Sequence, residues 1–146
     1  MPNQSTFPFM EGKFRSRFKN VYICDFEYAN IGGELLPTSL AIKNINVPNA
    51  EVEFIWLRNP DGSVRTNVEQ PFEHERHSLM VVFFAEAECS VFHELNWWQP
   101  HRLIDLYVEI KNFNNGLLTG KGAFSLESLA KKYDCETNYL EGDKTN

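Results

Sequence analysis

A run of seven residues, SLMVVFF at positions 78–84, is the feature that most limits how this chain can fold. It is apolar almost throughout and has the length of a strand. A strand that is apolar on both faces must lie between two layers, as the central strands of α/β sheets do. The segment after it, 85–98, carries apolar residues at helical spacing and predicts a helix that ends near Asn96, with Pro100 closing it. The chain is therefore expected to contain a strand–helix unit of an α/β protein.

The remaining segments predict elements of the same fold class. Before the run, three segments rich in β-branched and aromatic residues predict strands. After it, one segment begins as a strand and turns into a helix, and another predicts a short helix capped by Ser125. These five segments are 21–28, 35–45, 51–57, 103–113 and 125–133. Together they predict an α/β fold with a mixed sheet flanked by helices, preceded by a lead-in over residues 1–19.

The composition narrows the class of protein. One domain is expected from 146 residues, and 20 acidic against 14 basic side chains give a formal net charge of −6. A protein that coats nucleic acid passively would be basic, whereas clustered acids are what hard cations need. The three cysteines form no Cys-x-x-Cys pair, which disfavours structural zinc and disulfides and fits the cytoplasm. No apolar run has the length of a signal peptide core or a membrane span.

Two acids, Asp25 and Glu27, stand two residues apart in the first predicted strand, VYICDFEY. Residues i and i+2 of a strand point to the same face, so the two carboxylates should project together. On a buried strand they would repel each other and resist desolvation, and a divalent cation would resolve that conflict. The alternative is a strand at the sheet edge with both acids in water.

Two further acids are candidates for the same site. Glu88 falls in the first turn of the helix predicted after the apolar run, at the edge of the sheet where α/β proteins tend to build their sites. Asp105 lies inside the apolar segment LIDL, where an acid usually has a partner. The alternatives are that Glu86 and Glu88 are only capping charges of the helix and that Asp105 anchors a loop through hydrogen bonds.

These acids resemble the first two motifs of the DEDD superfamily of 3′–5′ exonucleases. Asp25 and Glu27 match its D-x-E motif, and Asp105 follows Glu88 after 17 residues (105 − 88 = 17), as in family A DNA polymerases. The phrases LMVVFFAEAEC, ELNWW and LIDLYVEI are similar to a branch of those polymerases found in phages and plasmids. The likeness covers residues 20–146 and implies a ribonuclease-H-like fold.

The resemblance implies a proofreading-type exonuclease that hydrolyses the terminal phosphodiester at single-stranded 3′ ends of DNA. Two Mg²⁺ or Mn²⁺ ions would activate a water and stabilise the leaving oxyanion. Asp25 would bridge both ions, Glu27 would hold the ion on the nucleophile side, and Glu88 would hold the other. Asp105 would be structural or would support these ligands indirectly.

The third motif of the superfamily has no secure match. Tyr139 and Asp143 fit Y-x-x-x-D as a string, but Gly142 between them is a poor residue for a helix interior. We therefore expect a partial domain over residues 20–146 that stops before this motif and, alone, has little or no exonuclease activity. A polymerase domain or a second chain would complete the site. The alternative is a catalytically inactive remnant that binds nucleic acid or a polymerase.

Other residues give weaker signals. No H-x-x-x-H pair lies on a clear helix, which disfavours a histidine metal site. The four histidines are His74, His77, His93 and His101. Trp97 and Trp98 have rings that could stack bases, although an aromatic pair at a helix end is expected to pack into the core.

Overall fold

The computed structural model describes residues 16–65, 67–118 and 120–135. The chain falls into two compact units that divide between Leu106 and Tyr107. The strands are β1 (Asn20–Ile31), β2 (Glu34–Asn44), β3 (Glu53–Trp56), β4 (Ser78–Val82) and β5 (Leu103–Asp105). The helices are α1 (Ala85–Glu94), α2 (Leu106–Asn114) and α3 (Leu126–Lys132). The sheet and α1 belong to the first unit, and the expectation of an α/β fold is confirmed.

The sheet has the strand order β3-β2-β1-β4-β5 and mixes both directions of pairing. β1 pairs antiparallel with β2, which in turn pairs antiparallel with β3. β4 runs parallel to β1, and β5 runs parallel to β4. A parallel pair needs a crossover connection, which α1 supplies between β4 and β5. The carboxyl ends of β1, β4 and β5 therefore lie along the same edge of the sheet.

The β1–β2 hairpin turns on Gly32 and Gly33, which stand between the paired residues Ile31 and Glu34. Both glycines have a positive φ, 63° and 89°, as a two-residue type I′ turn requires. Asn30 supports the turn, because its Oδ1 accepts a hydrogen bond of 3.1 Å from the Gly33 amide. The tight turn lets β1 run to Ile31, beyond the segment that its sequence pattern indicated.

The hydrophobic core lies on one face of the sheet, against α1. Phe92 of α1 is fully buried, and its ring centroid lies 5.1–6.2 Å from those of three other aromatic rings. Those rings belong to Phe26, Phe72 and Trp97. Cys24 and Phe26 of β1 point into this core, so the residues that alternate with them, Asp25 and Glu27, face the opposite side of the sheet.

Buried Asn20 ties the three central strands together at the start of β1. Its side-chain amide donates to Ser78 Oγ of β4 at 3.0 Å and to a Glu73 carboxylate oxygen at 3.1 Å. Its Oδ1 accepts a hydrogen bond of 2.8 Å from the Asn44 side chain of β2. A slip of β1 by one residue would break these bonds and turn the opposite face of the strand toward the core.

The prediction that the apolar run 78–84 is strand throughout is wrong at its end. β4 ends at Val82, and Phe84 takes a left-handed backbone conformation with a φ of 76°. This conformation lets the chain turn out of the strand and start α1 at the next residue, Ala85. The strand is shorter than its composition suggests because the last two aromatic residues are needed for that turn.

The helix that was predicted to end near Asn96 ends two residues earlier, at Glu94. Asn96 has a positive φ of 56°, which breaks helical geometry before the tryptophan pair. Trp97 packs into the core as expected, whereas Trp98 is 71% exposed, and its ring stacks on that of His74 at 5.3 Å. Only one member of the pair therefore serves the core.

The second unit is organised around a buried amide. The Asn114 side chain donates to the Tyr133 hydroxyl at 3.1 Å and accepts from Lys132 Nζ at 2.7 Å. The predicted cap of α3 is confirmed, since Ser125 Oγ accepts a hydrogen bond of 3.2 Å from the Ser128 amide. None of the helices in the described ranges has the length and apolar character needed to cross a membrane.

Truncation of Phe92 to alanine should lower the free energy of unfolding by about 3–5 kcal/mol, because a cavity would open among the surrounding rings. Phe54→Ala is a matched control, since Phe54 is 74% exposed. Its loss should change the free energy of unfolding by less than about 0.5 kcal/mol. Urea unfolding followed by circular dichroism measures both effects, and similar losses in the two variants would contradict this placement of the core.

Candidate functional site

Asp25 and Glu27 lie on the face of β1 that points away from α1, and both are exposed. Alternation along the strand places them there, because Cys24 and Phe26 occupy the core face. The strand itself is central, with β2 on one side and β4 on the other. The two carboxylates thus share a face as predicted, on a strand that is not at the sheet edge.

Glu88 lies in the first turn of α1, and only 3% of its surface is exposed. β1 runs further than β4, because their pairing ends at Ile23 and Val81. Beyond that pair, the edge of β1 that faces β4 is open, and the Glu88 carboxylate accepts a hydrogen bond there from the Phe26 amide. Its Oε2 is buried without a hydrogen-bond partner among the described residues. The burial of Glu88 therefore goes against the alternative in which this residue is only a capping charge of the helix.

The surroundings of Glu88 disfavour its charged form. Burial, and then the nearby Asp25 carboxylate, raise the pKa of Glu88 to about 8; the Phe26 hydrogen bond lowers it, and Asp105 adds a smaller increase. The pKa of Asp25 is also raised, first by partial loss of hydration and second by Glu27. A buried carboxyl group with an unpaired oxygen needs either a proton or a cation to balance it.

Asp105, at the end of β5, is engaged by the backbone of the neighbouring connection. Its two carboxylate oxygens accept hydrogen bonds from the amides of Phe84, at 3.0 Å, and Ala85, at 2.8 Å. These amides stand at the start of α1, so Asp105 caps the helix that carries Glu88. Two roles were expected for Asp105, a structural one and indirect support of the metal ligands. The structure shows the structural role.

The parallel strands bring these acids to one edge of the sheet. Asp25 and Glu27 come from β1, Glu88 follows β4, and Asp105 ends β5. Asp25 and Asp105 are both near enough to Glu88 to raise its pKa. In the described part of the chain, however, no three His, Cys, Asp or Glu side chains are grouped as ligands for one metal ion. The expected convergence of three carboxylates on a single cation is thus not seen in this conformation.

Tyr28 belongs to this site, although the sequence motifs did not indicate it. Its hydroxyl is buried and has no hydrogen-bond partner within the described residues. Burial raises the pKa of Tyr28, and the carboxylates of Glu88 and Asp25 raise it further, which places the hydroxyl near both acids. Strand alternation could have found it, because Tyr28 lies two residues beyond Phe26 and packs against the same core.

Comparison of the chain with models of protein families, with curated proteins and with solved structures gave no match in any of the three. Membership of the exonuclease superfamily is therefore a proposal that rests on the motifs and geometry of this chain. Tyr139 and Asp143 lie outside the described residues, and the expectation that they do not form the third motif stays a prediction.

Without metal ions, the free energy of unfolding should fall as pH rises from about 4.5 to about 8. A carboxyl group whose pKa is raised by folding binds its proton more tightly in the folded chain. Its contribution is complete below the unfolded pKa and is lost as pH rises through the folded one. Glu88→Gln should flatten this dependence and raise the Tm at alkaline pH by about 3 °C or more.

Glu86→Gln is the matched control, because Glu86 lies in the same turn of α1 and is exposed. It should keep the pH dependence of the unmutated chain. Thermal unfolding in the presence of a chelator, followed at several pH values across this range, measures all three proteins. If Glu88→Gln and Glu86→Gln gave the same slope, the buried position of Glu88 would be contradicted.

Proposed function

We propose that this chain is a metal-dependent 3′–5′ exonuclease domain of ribonuclease-H-like fold, related to the proofreading domains of phage and plasmid family A DNA polymerases. The observation that carries the proposal is the Oε2 of Glu88, which is buried near Asp25 without a hydrogen-bond partner among the residues that the structure describes. Leaving a buried carboxylate oxygen unpaired is unfavourable, and a bound cation would offset that cost. The substrate would be the single-stranded 3′ end of DNA.

The strand order supports the proposed fold. The sheet runs β3-β2-β1-β4-β5, and β2 runs in the direction opposite to the other four strands. A mixed sheet flanked by helices, with the D-x-E motif on its first strand, is what the proposed ribonuclease-H-like fold implies, and this order puts that strand in the centre. The acid after β4 then stands at the carboxyl edge, where ligand sites of α/β proteins form.

The residues at this edge fit Mg²⁺ or Mn²⁺. Carboxylate oxygens are the ligands that both ions prefer, and Asp25, Glu27 and Glu88 supply them. Bound ions would activate a water and stabilise the leaving oxygen of a phosphodiester. Asp25 and Glu27 would bind from one face of β1, and Glu88 would bind from its open edge.

Asp105 and Tyr28 would act on the site without holding an ion. Asp105 fixes the first turn of α1 through its bonds to the Phe84 and Ala85 amides, and so keeps Glu88 at the edge of β1. The Tyr28 hydroxyl, buried near the acids, is a donor available to a carboxylate oxygen or a water. A polymerase domain or a second chain would supply the residue that orients the attacking water.

A second candidate function is a nucleic-acid or polymerase-binding module that keeps the fold without activity. Two observations favour it. The pKa of Glu88, about 8, leaves this group largely protonated at neutral pH when no ion is bound. In addition, the described ranges contain no group of three ligands placed for one ion. Metal affinity separates the two candidates.

Millimolar Mg²⁺ or Mn²⁺ should raise the Tm of the chain, because the ion binds the folded state only. At about a hundred times the Kd, the gain in free energy of unfolding would be about 2.7 kcal/mol. Asp25→Asn should remove most of the gain, whereas Glu53→Gln, an exposed acid of β3, should keep it. A Tm that does not respond to either ion would contradict the metal site.

The activity can be tested with a 3′-labelled single-stranded oligonucleotide and an excess of protein, so that even slow cleavage is detected. We expect trimming from the 3′ end that requires Mn²⁺ and is at most slow, since the described site offers no dedicated water-orienting base. Asp25→Ala should abolish it and Glu86→Ala should not. Trimming that Asp25→Ala leaves intact, or that proceeds without Mn²⁺, would contradict the role proposed for these acids.

A further inference from the structure

Two large aromatic side chains stand in water on the short edge strand β3. Phe54 is 74% exposed and Trp56 is 66% exposed, although each ring would gain much by burial. Ile55 between them packs against the core, so alternation puts both rings on the opposite face of the sheet. Exposed apolar groups of this size in one place often mark a binding surface.

The strand register places these two rings in line with the two acids of β1. In each case an aromatic residue of β3 pairs with a small residue of β2, which pairs with an acid of β1. The two rows are Asp25–Ala41–Phe54 and Glu27–Ser39–Trp56. Residues that are directly opposite in antiparallel strands share a face, so each carboxylate looks across β2 toward one ring.

The path between the rings and the acids is short and open. Two strand spacings separate β1 from β3, which amounts to about 10 Å, and the two rings follow each other along β3 at about 6.8 Å. The residues between are Ala41 and Ser39, whose side chains are too small to block the path. A nucleotide reaches across this distance from its base to its phosphate. A base lying on either ring could therefore leave its backbone at the acids.

The charge of the molecule points to stacking as the source of affinity. The chain carries a net charge of −6, and this face presents two carboxylates against one lysine, Lys43, two residues from Ala41 on the same side of β2. Pairing of phosphates with Lys and Arg, which supplies much of the affinity of most nucleic-acid-binding proteins, is therefore weak here. Stacking of bases on aromatic rings needs no charge and tolerates any sequence. Aromatic side chains on exposed sheet faces bind bases in this way in RNA-binding domains.

The same charges disfavour a second copy of the chain as the occupant of this face. Two copies meeting through it would bring together two Asp25 and two Glu27 side chains in one interface. Carboxylates buried without partners cost several kcal/mol each. A nucleic-acid strand avoids this cost, because its bases cover the rings while the acids stay in water or hold cations.

We propose that Phe54 and Trp56 form a platform on which the bases of a single-stranded nucleic-acid end stack, while its backbone reaches Asp25 and Glu27. The ligand is an unpaired strand that carries bases, of any sequence. The placement of the backbone rests on the proposed function, but the stacking itself needs no metal ion.

The test compares two octanucleotides in a fluorescence anisotropy titration with Mn²⁺ and with a chelator. One is oligothymidylate, and the other has the same backbone but lacks the two bases at its 3′ end; phosphorothioate linkages in both suppress cleavage. Phe54→Ala with Trp56→Ala should weaken binding of the first probe about tenfold or more. The second probe should bind the unmutated chain as weakly as the first binds the double variant.

Three controls define the result. Trp98→Ala removes an equally exposed ring away from this face and should leave the affinity unchanged. Trp56→Phe keeps a ring at the platform and should retain most of the binding. The double variant should keep its Mn²⁺-dependent gain in Tm, which shows that the acids are undisturbed. The affinity for the first probe should also depend only weakly on salt, because few phosphates meet a cation.

Equal affinity for the two probes, or no loss of affinity in the double variant, would overturn the platform even if Asp25→Asn abolished metal binding. Binding of neither probe would overturn it too. A dimer in sedimentation that the double variant converts to a monomer would show that a second copy covers the rings. Base-dependent binding without any response to Mn²⁺ would instead keep the platform and remove the exonuclease proposal.

Discussion

The register of β1 between β2 and β4 is the constraint on which the rest of the site depends. Asn20 sets it at the start of the strand, because its side chain donates a hydrogen bond to Ser78 and accepts one from Asn44. With this register, Cys24 and Phe26 pack against α1, and Asp25 and Glu27 face away from it. A slip by one residue would bury both acids in an apolar core, which no bound ion on the present face could correct. Stability and site geometry are thus fixed by the same pairing.

The open edge of β1 explains why one acid of the site is buried and the others are not. β4 stops pairing at Val81 while β1 continues, so the Phe26 amide needs an acceptor that a strand would otherwise provide. The Glu88 carboxylate takes that place and loses its hydration in doing so. The hydrogen bond positions Glu88, and the loss of hydration makes the site favour a proton or a cation.

Local patterns in the sequence predicted most of the elements but not how they meet. The shared face of Asp25 and Glu27 follows from alternation within one strand, and the cap at Ser125 follows from four consecutive residues. The early end of β4 depends on the left-handed backbone of Phe84. Left-handed residues are usually glycine, so a phenylalanine at this position does not predict the turn. The alignment of Phe54 with Asp25 depends on three strands at once, and only the paired sheet reveals it.

The contact between Asp105 and the start of α1 also sets an order of assembly. Glu88 is synthesised before Asp105. The start of α1 therefore first lacks the Asp105 carboxylate, which accepts hydrogen bonds from the Phe84 and Ala85 amides. The cap arrives only when β5 has been synthesised and paired with β4, 21 residues after Phe84. The leading amides of α1 therefore gain this acceptor only after β5 has been synthesised. A nascent chain arrested before residue 105 would hold every acid of the D-x-E motif and of α1, yet would lack the carboxylate that fixes the start of α1.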